Sequence, residues 1–187
     1  QNSLALNEKT RFIGQISVLR SWKGHAFLIE AFSLIAENFP NYHLIIVGEG
    51  PMRDGIISLI TESKFCNRIH LLGYKPMPWE YFKAIDVAVL ASTENEGIPQ
   101  TLLQAMSLKT AVVATNVGGV PEIIFHEKTG LLVQPRDPQS IQLALEKILS
   151  NHALSKILVD NAFNFVAETH TWTNLGTAVE EVFSQQS

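Results

Sequence analysis

The sequence predicts an α/β fold, a doubly wound parallel sheet of Rossmann-like kind, on three observations. Short apolar runs alternate with amphipathic stretches of helical period along nearly the whole chain, which is the signature of repeated βαβ units. The apolar runs are continuous and not alternating, as expected of strands buried on both faces. Charged residues make up only 17% of 187 residues, below the usual share of about 25%, which fits a sheet covered by helices on both sides.

The elements follow in order. Residues 1–10 are polar and read as a linker end, leaving 11–187 as one domain with 46% hydrophobic content for its core. Residues 12–19 read as a strand, with Ser21 as a cap for the helix that follows. That helix carries Phe27, Leu28, Ala31, Phe32, Ile35 and Phe39 at a spacing of three to four, until Pro40 and Asn41 stop it. A strand at 43–47 turns through Gly48-Glu49-Gly50 into a second helix, with Pro51 at its first position. Further strands are expected at 68–72, 87–90, 111–115 and 130–133. Helices are expected near 79–84, 99–108, 138–150, 154–168 and 174–184, with a helical turn after Gly118-Gly119.

Composition excludes several classes. With 14 basic and 18 acidic side chains the net charge is −4, so no nucleic-acid partner is expected. Cys66 is the single cysteine, so no internal disulfide forms and a reducing compartment is favoured. No apolar run approaches the ~18 residues of a membrane helix. The N-terminus has neither a signal-peptide pattern nor a starting Met, and the chain reads as an excised fragment.

Ligands of such sheets sit at the carboxyl ends of the strands, so chemistry is expected in the loops there. After the strand at 87–90 comes an acidic loop with Glu96, Gly97 and Ile98, and then a helix opened by Pro99. The first turn of that helix offers free amides, from Gln100 and Thr101 since Pro99 has none, and a partial positive charge for an anionic oxygen. Gln104 lies five residues on, a rise of roughly 7–8 Å, so Glu96 and Gln104 are spaced to hold two ends of one ligand. The same residues also read as a solvated loop acid and a surface amide. Arg20 and Lys23 follow the first strand at a helix start, where cations are disfavoured and where a diphosphate would balance them; both extending into water is the plain alternative. Gly48-Glu49-Gly50 lacks the third glycine of a dinucleotide fingerprint and reads as a turn, which argues against a nicotinamide-dependent oxidoreductase. Gly118-Gly119 reads as a turn, or as amides for a phosphate. The six histidines include no pair with metal-ligand spacing, and no Asp-x-Asp occurs, so no metal and no cofactor is expected. His43 and His70 read as structural, and His25 as a candidate for a phosphate contact.

Five segments together resemble the retaining glycosyltransferases of GT-B fold known as family four, or group one. They are Trp22-Lys23-Gly24; Val47-Gly48-Glu49-Gly50-Pro51; Leu72-Gly73-Tyr74 with Ala84-Ile85-Asp86-Val87; Glu96-Gly97-Ile98-Pro99 through Leu103-Gln104-Ala105-Met106; and 113–122 followed by Thr129-Gly130-Leu131-Leu132-Val133. The resemblance implies one half of a GT-B fold, the donor-binding half. It implies transfer of a sugar from a nucleotide-diphosphate-sugar to an acceptor hydroxyl with retention, in cell-surface polysaccharide, lipopolysaccharide or lipid-linked glycan synthesis. By the same resemblance Glu96 contacts the donor sugar and Gly97 and Ile98 approach it, Lys23 binds the diphosphate, Gln104 holds the ribose, and Gly73, Tyr74 and Lys75 line the base. Two departures stand out: Gln104 replaces the family's second glutamate, and Val18 and Ser17 occupy the positions of its arginine, whose charge Arg20 would supply. The implied partners are the nucleotide-sugar and an N-terminal acceptor domain, without which this chain would be inactive. The implied location is cytoplasmic, with the full-length enzyme at the inner face of the membrane. A domain that binds nucleotide diphosphate without catalysis is the alternative.

Overall fold

The computed structural model describes residues 8–94 and 96–170. Six strands, β1 (Arg11–Ile16), β2 (Tyr42–Val47), β3 (Ile69–Leu71), β4 (Val87–Leu90), β5 (Ala111–Thr115) and β6 (Leu131–Val133), form one sheet in the order β3-β2-β1-β4-β5-β6. Every pairing is parallel, as the continuous apolar runs predict. The order reverses between β1 and β4, so the two neighbouring strands send their chains in opposite directions and leave a crevice beyond their carboxyl ends.

The helices are α1 (His25–Ile35), α2 (Arg53–Glu62), α3 (Pro78–Ala84), α4 (Gln100–Ser107), α5 (Pro138–Ser150) and α6 (His152–Thr169). Strand residues alternate between two apolar layers. Ile13, Leu44, Ile46, Val87, Val89 and Val113 pack with Leu28 and Phe32 of α1 and with Ile141 and Leu145 of α5. Ile45, Ala88, Leu90, Val112 and Ala114 face Phe82 of α3, Leu102 and Met106 of α4, and Ala162 of α6. The stripe expected on α1 is the buried one, with Leu28, Ala31, Phe32 and Ile35 shielded. The helix at 138–150 matches expectation to the residue, capped by Asp137, whose Oδ1 accepts the Ser140 N–H at 3.1 Å.

Local expectations fail in four places. The helix expected to run until Pro40 and Asn41 ends at Ile35, where a turn takes over and leaves Phe39 outside α1. Ser21 does not cap α1: it opens a 3-10 turn, and the residue before α1 is Gly24, at φ 67° and without a side-chain cap. A glycine is required there, since a Cβ would lie 1.8 Å from the Ala91 carbonyl oxygen. Pro51 is not the first residue of α2; it sits in the preceding turn, and the helix begins at Arg53. Strand β1 ends at Ile16, although the Ser17 and Leu19 amides still bond to Val47 and Glu49 carbonyls at 3.0 and 2.9 Å. The linker end expected at 1–10 lies mostly outside the described residues, and the last expected helix, 174–184, wholly outside them. Among the described residues no helix is long and apolar enough to cross a membrane.

Candidate donor site at the switch point

The crevice between β1 and β4 brings together residues 73 positions apart. Lys23, in the 3-10 turn after β1, places Nζ 2.5 Å from Glu96 Oε1, and the two side chains are 16% and 6% exposed. Ser92, also on the β4 loop, donates its hydroxyl to the same oxygen. Glu96 is therefore not a solvated loop acid, the plain reading of the sequence. In this structure the anion beside Lys23 is supplied by the chain itself, so Lys23 does not extend into water, the plain alternative read from the sequence. Arg20 remains exposed, its guanidinium 5.6 Å from the Trp22 ring centroid.

The two loops are stitched together behind this pair. The Thr93 N–H donates to the Trp22 carbonyl at 2.7 Å. Gln15, fully buried on β1, donates from Nε2 to the Lys23 carbonyl at 2.8 Å and to Ser17 Oγ at 3.2 Å, and accepts the Ala91 N–H at 3.2 Å. His25 Nε2 lies 3.1 Å from Ser17 Oγ. Burial, with Lys23 nearby, lowers the His25 pKa to about 4, so the ring is neutral near pH 7 and acts as a hydrogen-bond partner. It is 3% exposed and cannot meet a phosphate in solution. Gln15 and Ser92 are not singled out by the sequence, and Ser17 only as standing where the family has its arginine; a glutamine inside an apolar strand is the available signal, since a buried amide must find partners.

On the other side of the β4 loop, the Gly119 N–H donates to the Glu96 carbonyl at 3.0 Å. Gly118 has φ 51°, and a Cβ there would sit 1.9 Å from that carbonyl oxygen. The Gly118-Gly119 segment thus buttresses the acid loop and spends one amide doing so.

Pro99 is the cap residue of α4. The Leu102 and Leu103 amides turn back to its carbonyl, and among the described residues no acceptor faces the amides of Gln100 and Thr101. Gly97 and Ile98 are exposed just before them. On α4, Leu102, Leu103, Ala105 and Met106 are buried while Gln100, Gln104 and Ser107 are exposed, so Gln104 shares the solvent side with the first turn. The β3 loop reaches the same end of the sheet: the Gly73 carbonyl accepts the Gly48 N–H at 2.9 Å, Tyr74 is 71% exposed and Lys75 is half-buried. Glu49 pairs with Arg53 at 3.3 Å, consistent with a turn and not with a phosphate cradle. Among the described residues no cluster of three or more metal-ligating side chains occurs. His43 and His70 form a stacked pair with ring nitrogens 2.9 Å apart, a structural role. A cavity of about 370 Å³ does open elsewhere, beside Arg11, Tyr42, Asp86, Lys109 and His152, but it lies at the amino ends of the strands, away from the switch-point crevice.

The fold has counterparts among solved structures. The C-terminal domain of a group 1 glycosyl transferase, LpcC, from Francisella tularensis superposes with a TM-score of 0.79 at 27% identity, covering 87% of each chain. Anabaena HepE, solved in complex with UDP, superposes with a TM-score of 0.88 at 23% identity over 95% of this chain and 49% of that one. In sequence, an uncharacterised glycosyltransferase of Methanocaldococcus jannaschii is 32% identical over 186 residues, covering 98% of this chain and 47% of that protein. The chain thus spans about half the length of the relatives it matches. The family model for glycosyl transferases group 1 matches residues 1–165, and the chain belongs to that family.

Proposed function

We propose that this chain is the donor-binding half of a retaining glycosyltransferase. It would hold a nucleotide-diphosphate-sugar in the switch-point crevice while a further half, beyond this chain, presents the acceptor hydroxyl. The observation that carries the reading is the shielded Lys23–Glu96 pair beside the open first turn of α4. Cleavage of the bond between the anomeric carbon and the diphosphate leaves extra negative charge on the leaving group. Lys23, Arg20 and the amides of Gln100 and Thr101 are suited to receive it, because pre-set donors in a shielded site stabilise developing charge far better than water does. In this scheme Lys23 transfers from Glu96 to the diphosphate as the donor enters. The freed Glu96 carboxylate accepts hydrogen bonds from sugar hydroxyls, with Gly97 and Ile98 packed against them. Gln104 accepts from the ribose without charge assistance, and Gly73, Tyr74 and Lys75 flank the base. Charge compensation is by side chains and amides, with no metal required.

Calorimetric titration of uridine, guanosine and adenosine diphosphates and their sugars into this chain tests the reading. One nucleoside diphosphate is expected to bind, and Lys23→Ala to weaken that binding about a hundredfold; no binding by any of them ends the proposal. Sugar transfer is expected from the longer protein and not from this chain alone. The alternative, a binding domain without transfer, draws on the amide at Gln104, and turnover by the longer protein with a matching nucleotide-sugar removes it.

A further inference from the structure

The donor-site reading assigns roles to side chains that face the crevice, but none to the group that sets how far apart they stand. Gln15 has no exposed surface, yet its amide uses both donors and its acceptor on groups from two different loops. On one side it holds the Lys23 carbonyl, the backbone of the residue that carries the site cation. On the other it holds the Ala91 amide, the first residue after β4 and five positions before Glu96. Its orientation is dictated by these partners: a flipped amide would set N–H against N–H at Ala91 and oxygen against oxygen at Lys23. Ser17 accepts from Gln15 and faces neutral His25, so its hydroxyl is spent as well.

We infer that Gln15 is a positioning residue of the donor site, tying the β1 and β4 loops so that the backbone segments carrying Lys23 and Glu96 stand at the separation a diphosphate and its sugar require. This rests on the donor-site reading. A register error of about 1 Å in such a pair is enough to cost orders of magnitude in function, and a buried three-point amide holds a distance better than a flexible lysine can.

Two variants test it, with affinity for uridine, guanosine and adenosine diphosphates measured at pH 8 and pH 5.5 alongside thermal unfolding. Gln15→Met fills the space without hydrogen bonds and is expected to bind about tenfold more weakly than the unaltered chain at both pH values, while remaining folded. Gln15→Glu restores the link between the two loops, though not the bond donated to Ser17, only when protonated, since the single acid O–H then donates to Lys23 and its carbonyl accepts from Ala91. Burial favours that neutral form. Relative to the unaltered chain it is expected to bind about tenfold more weakly at pH 8 and within about twofold at pH 5.5. Folded variants that bind like the unaltered chain overturn the inference. So does affinity that falls only in step with the fraction folded, which would make Gln15 a scaffold residue. If the unaltered chain binds no nucleoside diphosphate, the donor-site reading fails and this inference goes with it.

Discussion

Strands β1 and β4 are tied by an ion pair at each end, and the two pairs behave differently. At the amino ends, Arg11 Nη1 lies 3.6 Å from Asp86 Oδ1, with the side chains 61% and 32% exposed. Asp86 also accepts the Phe12 N–H at 2.8 Å and returns its own N–H to the Phe12 carbonyl at 2.8 Å, so its carboxylate is pegged to the strand backbone. At the carboxyl ends, Lys23 and Glu96 sit at 2.5 Å on loops, nearly shielded, and the other hydrogen bond to the Glu96 carboxylate among the described residues comes from the Ser92 side chain. The first pair marks register and can do nothing else without breaking it. The second has partners that a ligand can replace. Shielding makes its charges strong, and loop placement makes them exchangeable.

The sharpest way to break this contrast is Glu96→Gln. Sugar transfer by the longer protein is expected to fall roughly a thousandfold, the scale of losing a transition-state contact. Binding of bare nucleoside diphosphate should hold or tighten, because Lys23 is released from its internal anion; a matching loss of both would deny Glu96 a sugar contact. An acid-sensitive group also sits at the carboxyl end. His25 has a folded pKa lowered from 6.5 to about 4, so the unfolded chain binds the proton more readily. Its contribution to stability is complete above pH 6.5 and disappears as the pH falls through 4, a loss on the order of 3 kcal/mol. Comparing denaturant unfolding of the chain and of His25→Gln between pH 7 and 4 isolates it; parallel curves would contradict the burial of this ring.

Lys23→Met is expected to weaken nucleoside diphosphate binding roughly a hundredfold, about 2.7 kcal/mol, with a far smaller change in melting temperature, as calorimetry of both quantities will show. The smallest effect belongs to the other end of the same strands. Arg11→Ala should alter stability by less than about 1 kcal/mol, the scale of exposed pairs, and leave nucleotide affinity unchanged. An affinity loss there would mean that the amino ends communicate with the crevice.

Much of this molecule was legible in its residues. The strands at 87–90 and 111–115 and the helix at 138–150 appear where the alternation of apolar runs and helical stretches places them, because those signals are local. The family followed from five motifs in order. The entry to α1 was misread: the choice between Ser21 and Gly24 depends on how closely the Ala91 carbonyl approaches from another strand. At the site, Glu96 and Lys23 were both marked, but as separate loops with separate tasks. Their contact depends on β1 and β4 being neighbours, which no local pattern encodes.

By itself, then, the order of residues determined which segments become strands and helices, that the strands lie buried on both faces, and which loops carry polar chemistry. These follow from periodicity, turn residues and burial, each read within a few positions. Only the folded sheet decided that Lys23 is matched by Glu96, that Ser92 and Gln15 hold the pair, and that His25 is sealed away from phosphate. Those are properties of strand order and of distances across the crevice, and electrostatic balance is settled by what is near in space, not by what is near in the chain.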